Sequence, residues 1–292
     1  MSAVGAVRRV AVLGAGQMGS GIAEVFARSG LDTVVCEDGP DRLRAARRRI
    51  DRSLHRAAER GRITEEQRTD AWAHLLFTDD LDALADRQLT VEAVTEDEPL
   101  KLRLLAALDA VLADPEAVIA TNTSALPVTR LGIATGRAPH VLGLHFFNPA
   151  PVMPLVELVP SLHTAPEVAD RVEEFARDVL GKQVVRARDR AGFVVNALLV
   201  PYLLSAIRMA EAGHADAAGI DAAMVHGCAH PMGPLALADL IGLDTIEAIA
   251  RAMYDEYKEP LYAPPPLLSR MVEAGLLGRK SGRGFHRHDP AP

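Results

Sequence analysis

The stretch RRVAVLGAGQMGSGIAEVFARSGLDTVVCED, residues 8 to 38, limits what this chain can fold into more than any other part of it. Val10 to Leu13 is a short continuous apolar run, the pattern of a parallel strand buried on both faces. Ile22, Val25 and Phe26 then recur at helical spacing, Gly30 marks a stop, and Thr33 to Cys36 reads as a second strand. Gly14, Gly16 and Gly19 stand between the first strand and the helix in GxGxxG order. The spacing alone is common, but in a strand–turn–helix context it is the signature of a dinucleotide site. The first glycine permits the tight turn, the second lets a pyrophosphate approach the backbone, and the third lets helix and strand pack closely. The helix N-terminus then offers its N–H groups to the phosphates. The expected cofactor turn is therefore Gly14, Ala15, Gly16, Gln17, Met18 and Gly19. Asp38 follows Gly19 by nineteen residues, where an acid would accept hydrogen bonds from the adenosine ribose and repel a 2′-phosphate. NAD is thus expected rather than NADP. Glu37 is equally acidic and adjacent, and side chains alternate along a strand, so only one of the two faces the ribose. The spacing favours Asp38.

Further short apolar strands are expected at Leu89–Ala93, Val118–Thr121, Val141–Leu144, around Val156 and at Val184–Val185, several of them separated by helical segments. That alternation predicts a doubly wound α/β sheet. One insertion interrupts it. DRLRAARRRIDRSLHRAAERGRITEEQRTDAWAHL reads as two basic helical runs broken at Gly61, with Thr64 and Gln67 at capping-box spacing. Beyond about residue 190 strand signals cease, and helical patterns punctuated by Gly and Pro take over. The expectation is an α/β domain over residues 1–189, with a helical-hairpin insertion, followed by an all-α domain over residues 190–292.

A net charge of −7 argues against nucleic acid as the main partner, although it leaves room for a local basic patch. Cys36 and Cys228 form neither a CxxC nor a Cys/His spacing, so no metal site or disulfide framework is expected and a reducing compartment fits. No stretch approaches eighteen uninterrupted apolar residues and no cleavable leader is evident, so a cytoplasmic protein without a membrane span is expected.

The segment GLHFFNPAPVMPLVEL, residues 143 to 158, places His145 and Glu157 in an oily, proline-broken stretch. Burying a carboxylate costs several kcal/mol, on the order of what only a good partner offsets. At this point the chain resembles a known family. GAGQMG, VEAVTEDEPLK, TNTSALPVT, GLHFFNPAPVMPLVEL, GFVVN, HPMGPLALADLIGLD and GRKSGRGF occur in the order found in L-3-hydroxyacyl-CoA dehydrogenases, and the likeness is strongest to the bacterial 3-hydroxybutyryl-CoA branch. It spans almost the whole chain. The resemblance implies a Rossmann domain, NAD as cofactor, an acyl-CoA thioester as substrate, and a homodimer formed through the helical domain. It implies interconversion of (S)-3-hydroxyacyl-CoA and 3-ketoacyl-CoA, with short acyl chains.

By resemblance His145 is the acid–base residue, and Glu157 is its partner, fixing the tautomer and stabilising the imidazolium. Ser124 and Asn196 match the groups that polarise the substrate oxygen, and Ser124 also lies near the nicotinamide. Glu96, Lys101, Asn148 and Lys280 match NAD contacts, and Ser53 and Arg60 on the basic hairpin match contacts to the CoA nucleotide. Two departures stand out. Ala197 follows Asn196 where the family often has arginine, and Arg60 stands where lysine is common. Rival readings are a hydroxyacyl-carrier-protein dehydrogenase, a free hydroxy-acid dehydrogenase, and a non-catalytic NAD-binding protein of the crystallin kind. The basic hairpin argues against the free acid, and the intact set of Ser124, His145, Glu157 and Asn196 argues against a structural protein.

Overall fold

Alternation along the first strand, β1 (Arg9–Leu13), explains how the N-terminal part is layered. Val10 and Val12 enter one apolar cluster and Ala11 and Leu13 another, as the two-residue period of a strand requires. The computed structural model describes residues 7–288. The chain divides into two compact units, Met1–Asp189 and Arg190–Pro292.

In the first unit β1 is followed by α1 (Gln17–Arg28), β2 (Asp32–Cys36), α2 (Gly39–Glu59), α3 (Glu65–Ala73) and β3 (Leu75–Thr78). Then come β4 (Leu89–Glu92), α4 (Glu98–Val111), β5 (Val118–Thr121), α5 (Val128–Gly132), β6 (Val141–Phe146), β7 (Leu155–Pro160), α6 (Pro166–Glu174) and β8 (Gln183–Arg186). The eight strands form one sheet in the order β3-β2-β1-β4-β5-β6-β7-β8. Every neighbouring pair is parallel except β6 and β7, which form an antiparallel hairpin. The winding reverses between β1 and β4, and the crevice beyond the carboxyl ends of those strands is where open α/β sheets bind ligands. The doubly wound sheet expected from the sequence is present.

Strand β3 did not emerge from the pattern. The helical reading ran on through His74 and Leu75, whereas α3 stops at Ala73 and Leu75–Thr78 pairs with β2. The strand lies at the sheet edge and is at most half-buried, so its short apolar run looks like the last turn of an amphipathic helix. The hairpin itself forms as expected. The Thr64 Oγ1 accepts from the Gln67 N–H at 3.1 Å and the Gln67 Oε1 accepts from the Thr64 N–H at 2.9 Å, the reciprocal capping box. Along α2, Ala46, Ile50, Leu54 and Ala57 make one buried stripe that joins Ile22 and Phe26 of α1, leaving most of the arginines outward.

The second unit holds α7 (Val195–Glu211), α8 (Ala217–Cys228), α9 (Pro234–Ile241), α10 (Leu243–Tyr257) and α11 (Pro266–Glu273) around Leu203, Leu204, Ile207, Leu235, Ile246, Met253 and Leu268. Two buried carboxylates organise it. Asp221 accepts from the N–H groups of Leu235 and Ala236, capping α9, and pairs with His286 at 2.8 Å. Asp239 accepts from the N–H groups of Phe285 and His286 and pairs with His288 at 2.8 Å, fastening the last described residues to α9. Among the described residues no helix is long and apolar enough to cross a membrane.

Candidate active site

The glycine turn leaves β1 at Gly14, and each glycine is there for a different reason. Gly14 has φ +87°, and a Cβ on it would sit 2.6 Å from Val94 Cγ1. A Cβ on Gly19 would fall 1.8 Å from the Gly14 carbonyl oxygen. A Cβ on Gly16 would meet nothing within 4 Å. The turn therefore forbids side chains where it packs and stays open where a pyrophosphate would approach. Helix α1 begins beside that opening with no side chain capping its first N–H groups, so the residues present fit a dinucleotide.

Of the two adjacent acids at the end of β2, Glu37 is the one that bonds the turn itself. The Glu37 Oε2 accepts from the Ala15 N–H at 2.7 Å. Asp38 instead occupies the N-cap position of α2, with its side chain 90 % exposed and paired with Arg42. The strand stops at Cys36 and the helix begins at Gly39, so Glu37 and Asp38 form the short link between them.

At the ends of β4 and β5 a buried network joins three expected residues. Lys101, only 1 % exposed, places its Nζ 2.7 and 3.0 Å from the two Glu92 oxygens and 3.3 Å from Glu96 Oε2. Glu92 also accepts from the Thr121 hydroxyl and the Val94 N–H, so this fully buried carboxylate has several donors. Glu96 Oε1 accepts from the Ser124 N–H at 3.0 Å and from the Thr123 hydroxyl. The lysine ammonium is thus held inside the protein, where it braces Glu96 and through it the Ser124 loop. Glu92 was not singled out from sequence; its only signal was an acid closing an otherwise apolar strand.

His145 and Glu157 are directly opposed residues of the β6–β7 hairpin. His145 Nδ1 lies 2.8 Å from Glu157 Oε2, with Glu157 fully buried and His145 nearly so. The twelve-residue separation and the prolines between them are explained by this pairing. The chain leaves β6, turns through Asn148–Met153 with a cis Asn148–Pro149 bond, and returns in register. An ionised carboxylate accepts only, so opposite such a group Nδ1 is the donor. The Phe147 ring meets the imidazole edge-on at 4.6 Å between centroids. Asn122 Oδ1 accepts from the Phe146 N–H at 2.8 Å, tying the Ser124 loop to the strand that carries His145. Strands β1, β4, β5 and β6 run parallel, so the glycine turn, Glu96, Ser124 and His145 all belong to one edge of the sheet.

The remaining expected residues are more dispersed. Asn148 is exposed just beyond β6. On α2, Ser53 lies against Glu24 of α1; burial raises the Glu24 carboxyl above its usual value, with Ser53, Arg28 and Arg56 opposing the shift. Arg60 is exposed at the C-terminal cap of α2. In the second unit Asn196 occupies the first turn of α7, and the Lys280 ammonium is paired with both oxygens of Asp244.

Comparison with known proteins places these features in a family. Residues 9–190 match the NAD-binding domain of 3-hydroxyacyl-CoA dehydrogenase and residues 192–288 its C-terminal domain. The chain is 59% identical over 283 residues to a 3-hydroxybutyryl-CoA dehydrogenase of Mycobacterium tuberculosis, covering 97% of this chain and 99% of that one. It is 42% identical over 280 residues to a 3-hydroxybutyryl-CoA dehydrogenase of Bradyrhizobium diazoefficiens, covering 96% and 95%. Among solved structures, (S)-3-hydroxybutyryl-CoA dehydrogenase from Ralstonia eutropha superposes with a TM-score of 0.91 at 38% identity, covering 97% of this chain and 100% of that one. The chain belongs to the 3-hydroxyacyl-CoA dehydrogenase family, with the NAD-binding and C-terminal domains of that family both present.

Proposed function

We propose that this enzyme interconverts short-chain (S)-3-hydroxyacyl-CoA and 3-ketoacyl-CoA, with 3-hydroxybutyryl-CoA and acetoacetyl-CoA as the preferred pair. The observation that carries the reading is the buried 2.8 Å pair of His145 and Glu157 on the sheet edge that bears the glycine turn. NAD supplies hydride exchange with the carbinol carbon. In the oxidative direction His145 Nε2 takes the hydroxyl proton, and in the reductive direction it returns one to the ketone oxygen. Glu157 holds the ring in the tautomer this needs and faces the imidazolium once it forms. Ser124, on the loop braced by Glu96, donates to the substrate oxygen. Glu37, rather than Asp38, receives the adenosine ribose, because it is the acid turned toward Ala15. The relatives named 3-hydroxybutyryl-CoA dehydrogenase support the short-chain choice.

On the CoA side, Ser53 and the exposed Arg60 of the hairpin contact the nucleotide. Initial rates of NADH oxidation test both parts. Acetoacetyl-CoA should outperform longer acyl chains and a truncated acetoacetyl thioester, with free acetoacetate nearly inert. Arg60→Ala should raise KM for acetoacetyl-CoA several-fold, on the order of a weakened ionic hydrogen bond, and leave the truncated thioester unaffected. Equal rates with thioester and free acid would refute the CoA reading.

A homodimer through the second unit is part of the same proposal. Leu198 and Met209 of α7, Leu240 and Leu261 are large apolar side chains left exposed on that unit, the kind of surface a partner covers. Sedimentation should give twice the chain mass, and Leu198→Glu should shift the equilibrium toward monomer.

A further inference from the structure

Among the arginines of α2, Arg49 does not face solvent with the others. Arg49 of α2 is half-buried, and its Nη1 donates to the Ala15 carbonyl oxygen at 2.7 Å. The same nitrogen lies 3.4 Å from Ser20 Oγ, and that hydroxyl donates to the same carbonyl at 2.8 Å. On its other side Ala15 gives its N–H to Glu37 at 2.7 Å. Both peptide planes flanking Ala15 are therefore held from outside the turn.

The consequence follows from peptide geometry. The Ala15 carbonyl and the Gly16 N–H share one trans peptide unit and point in opposite directions. Anchoring that carbonyl to α2 turns the Gly16 N–H away from the hairpin, and Gly16 is the turn residue that borders open space. A glycine turn is conformationally permissive, so without such an anchor this peptide could rotate and withdraw its donor.

We propose that Arg49 is a positioning residue for the NAD pyrophosphate: by gripping the Ala15 carbonyl it holds the Gly16 N–H in the orientation that binds the phosphate. The inference rests on the glycine turn being the NAD site. It also gives α2 a second task, since the helix that carries Ser53 and ends at Arg60 then sets the cofactor turn as well.

The test measures NADH affinity by equilibrium fluorescence titration without acyl-CoA, and KM for acetoacetyl-CoA at saturating NADH. Arg49→Gln should weaken NADH binding roughly three- to tenfold and shift KM for acetoacetyl-CoA by about twofold at most, the range of one ordinary hydrogen bond acting at a single site. Arg49→Lys, whose ammonium can reach the same carbonyl, should recover most of the affinity. Ser20→Ala combined with Arg49→Gln should give a non-additive loss, because both groups act on one oxygen. Unchanged NADH affinity in Arg49→Gln would overturn the inference. So would equal losses of NADH and acetoacetyl-CoA affinity with a lowered Tm, which would make Arg49 a prop for the hairpin. Gly16→Val separates this from the underlying reading. If it abolishes NADH binding while Arg49→Gln does nothing, only the role of Arg49 falls. If Gly16→Val binds NADH normally, the turn is not the NAD site and both fall.

Discussion

The glycine turn and the β6–β7 hairpin occupy the same sheet edge but are built by opposite means. The turn is built from backbone: its side chains are absent where it packs, and the peptide groups on either side of Ala15 are held by Glu37, Ser20 and Arg49. The hairpin works with two side chains, His145 and Glu157, and uses the backbone only to bring them into register. A backbone site tolerates few added atoms but depends little on any one functional group. A side-chain site fails when one group changes, even if its shape is kept.

The largest expected effect tests the side-chain half. His145→Gln should leave the fold and NADH affinity intact and lower turnover by roughly two to four decades, the usual worth of a positioned acid–base group. Glu157→Gln should cost roughly one to three decades in turnover, since the ring keeps a hydrogen-bond acceptor but loses its counter-charge. In the double variant the two losses should not multiply, because the residues act as a unit. Full multiplication would break the comparison by showing two independent groups.

A smaller effect sharpens the backbone half. Glu37→Ser should weaken NADH binding roughly tenfold or less and narrow the preference over NADPH, because it removes both a carboxylate that repels a 2′-phosphate and the anchor of the Ala15 N–H. Asp38→Ser should change neither much, its side chain being exposed at the start of α2. Equilibrium titrations with both nucleotides decide it, and the reverse ranking would identify Asp38 as the ribose acid.

The smallest effect lies in the packing beneath both. Glu24 is buried on α1 and burial raises its carboxyl, so its ionised form is disfavoured in the folded protein. Because the folded value is raised, this group favours folding most below its ordinary unfolded value, and that contribution is lost as the pH rises through the raised one. Glu24→Gln should therefore raise Tm modestly at neutral pH, with the gain vanishing in acid. A destabilised variant at neutral pH would mean that the bond to Arg28 outweighs the burial cost.

Local rules were enough for much of this protein. The apolar strands, the GxGxxG turn, the capping box at Thr64 and the change to helices near residue 190 are all read within windows of a few residues, where backbone sterics and hydrophobic period decide the outcome. The motif order carried the pairing of His145 with Glu157 as well, although proximity itself required β6 and β7 to meet antiparallel and in register. What only the tertiary structure decided are matters of a single residue's direction. Glu37 and Asp38 differ by one position, and which of them faces Ala15 depends on the strand ending at Cys36 and the helix taking Asp38 as its cap, a boundary that local patterns leave open by a residue or two. Lys101 looks like a surface lysine until β4 and α4 fold together and bury its ammonium against Glu92. Arg49 is one of nine arginines from residue 42 to residue 62, and only the packing of α2 on α1 brings its guanidinium to a carbonyl thirty-four residues earlier in the chain. A long-range contact of this kind depends on how two helices are rotated against each other, and that angle is set by the shape of the whole core rather than by any neighbouring residue.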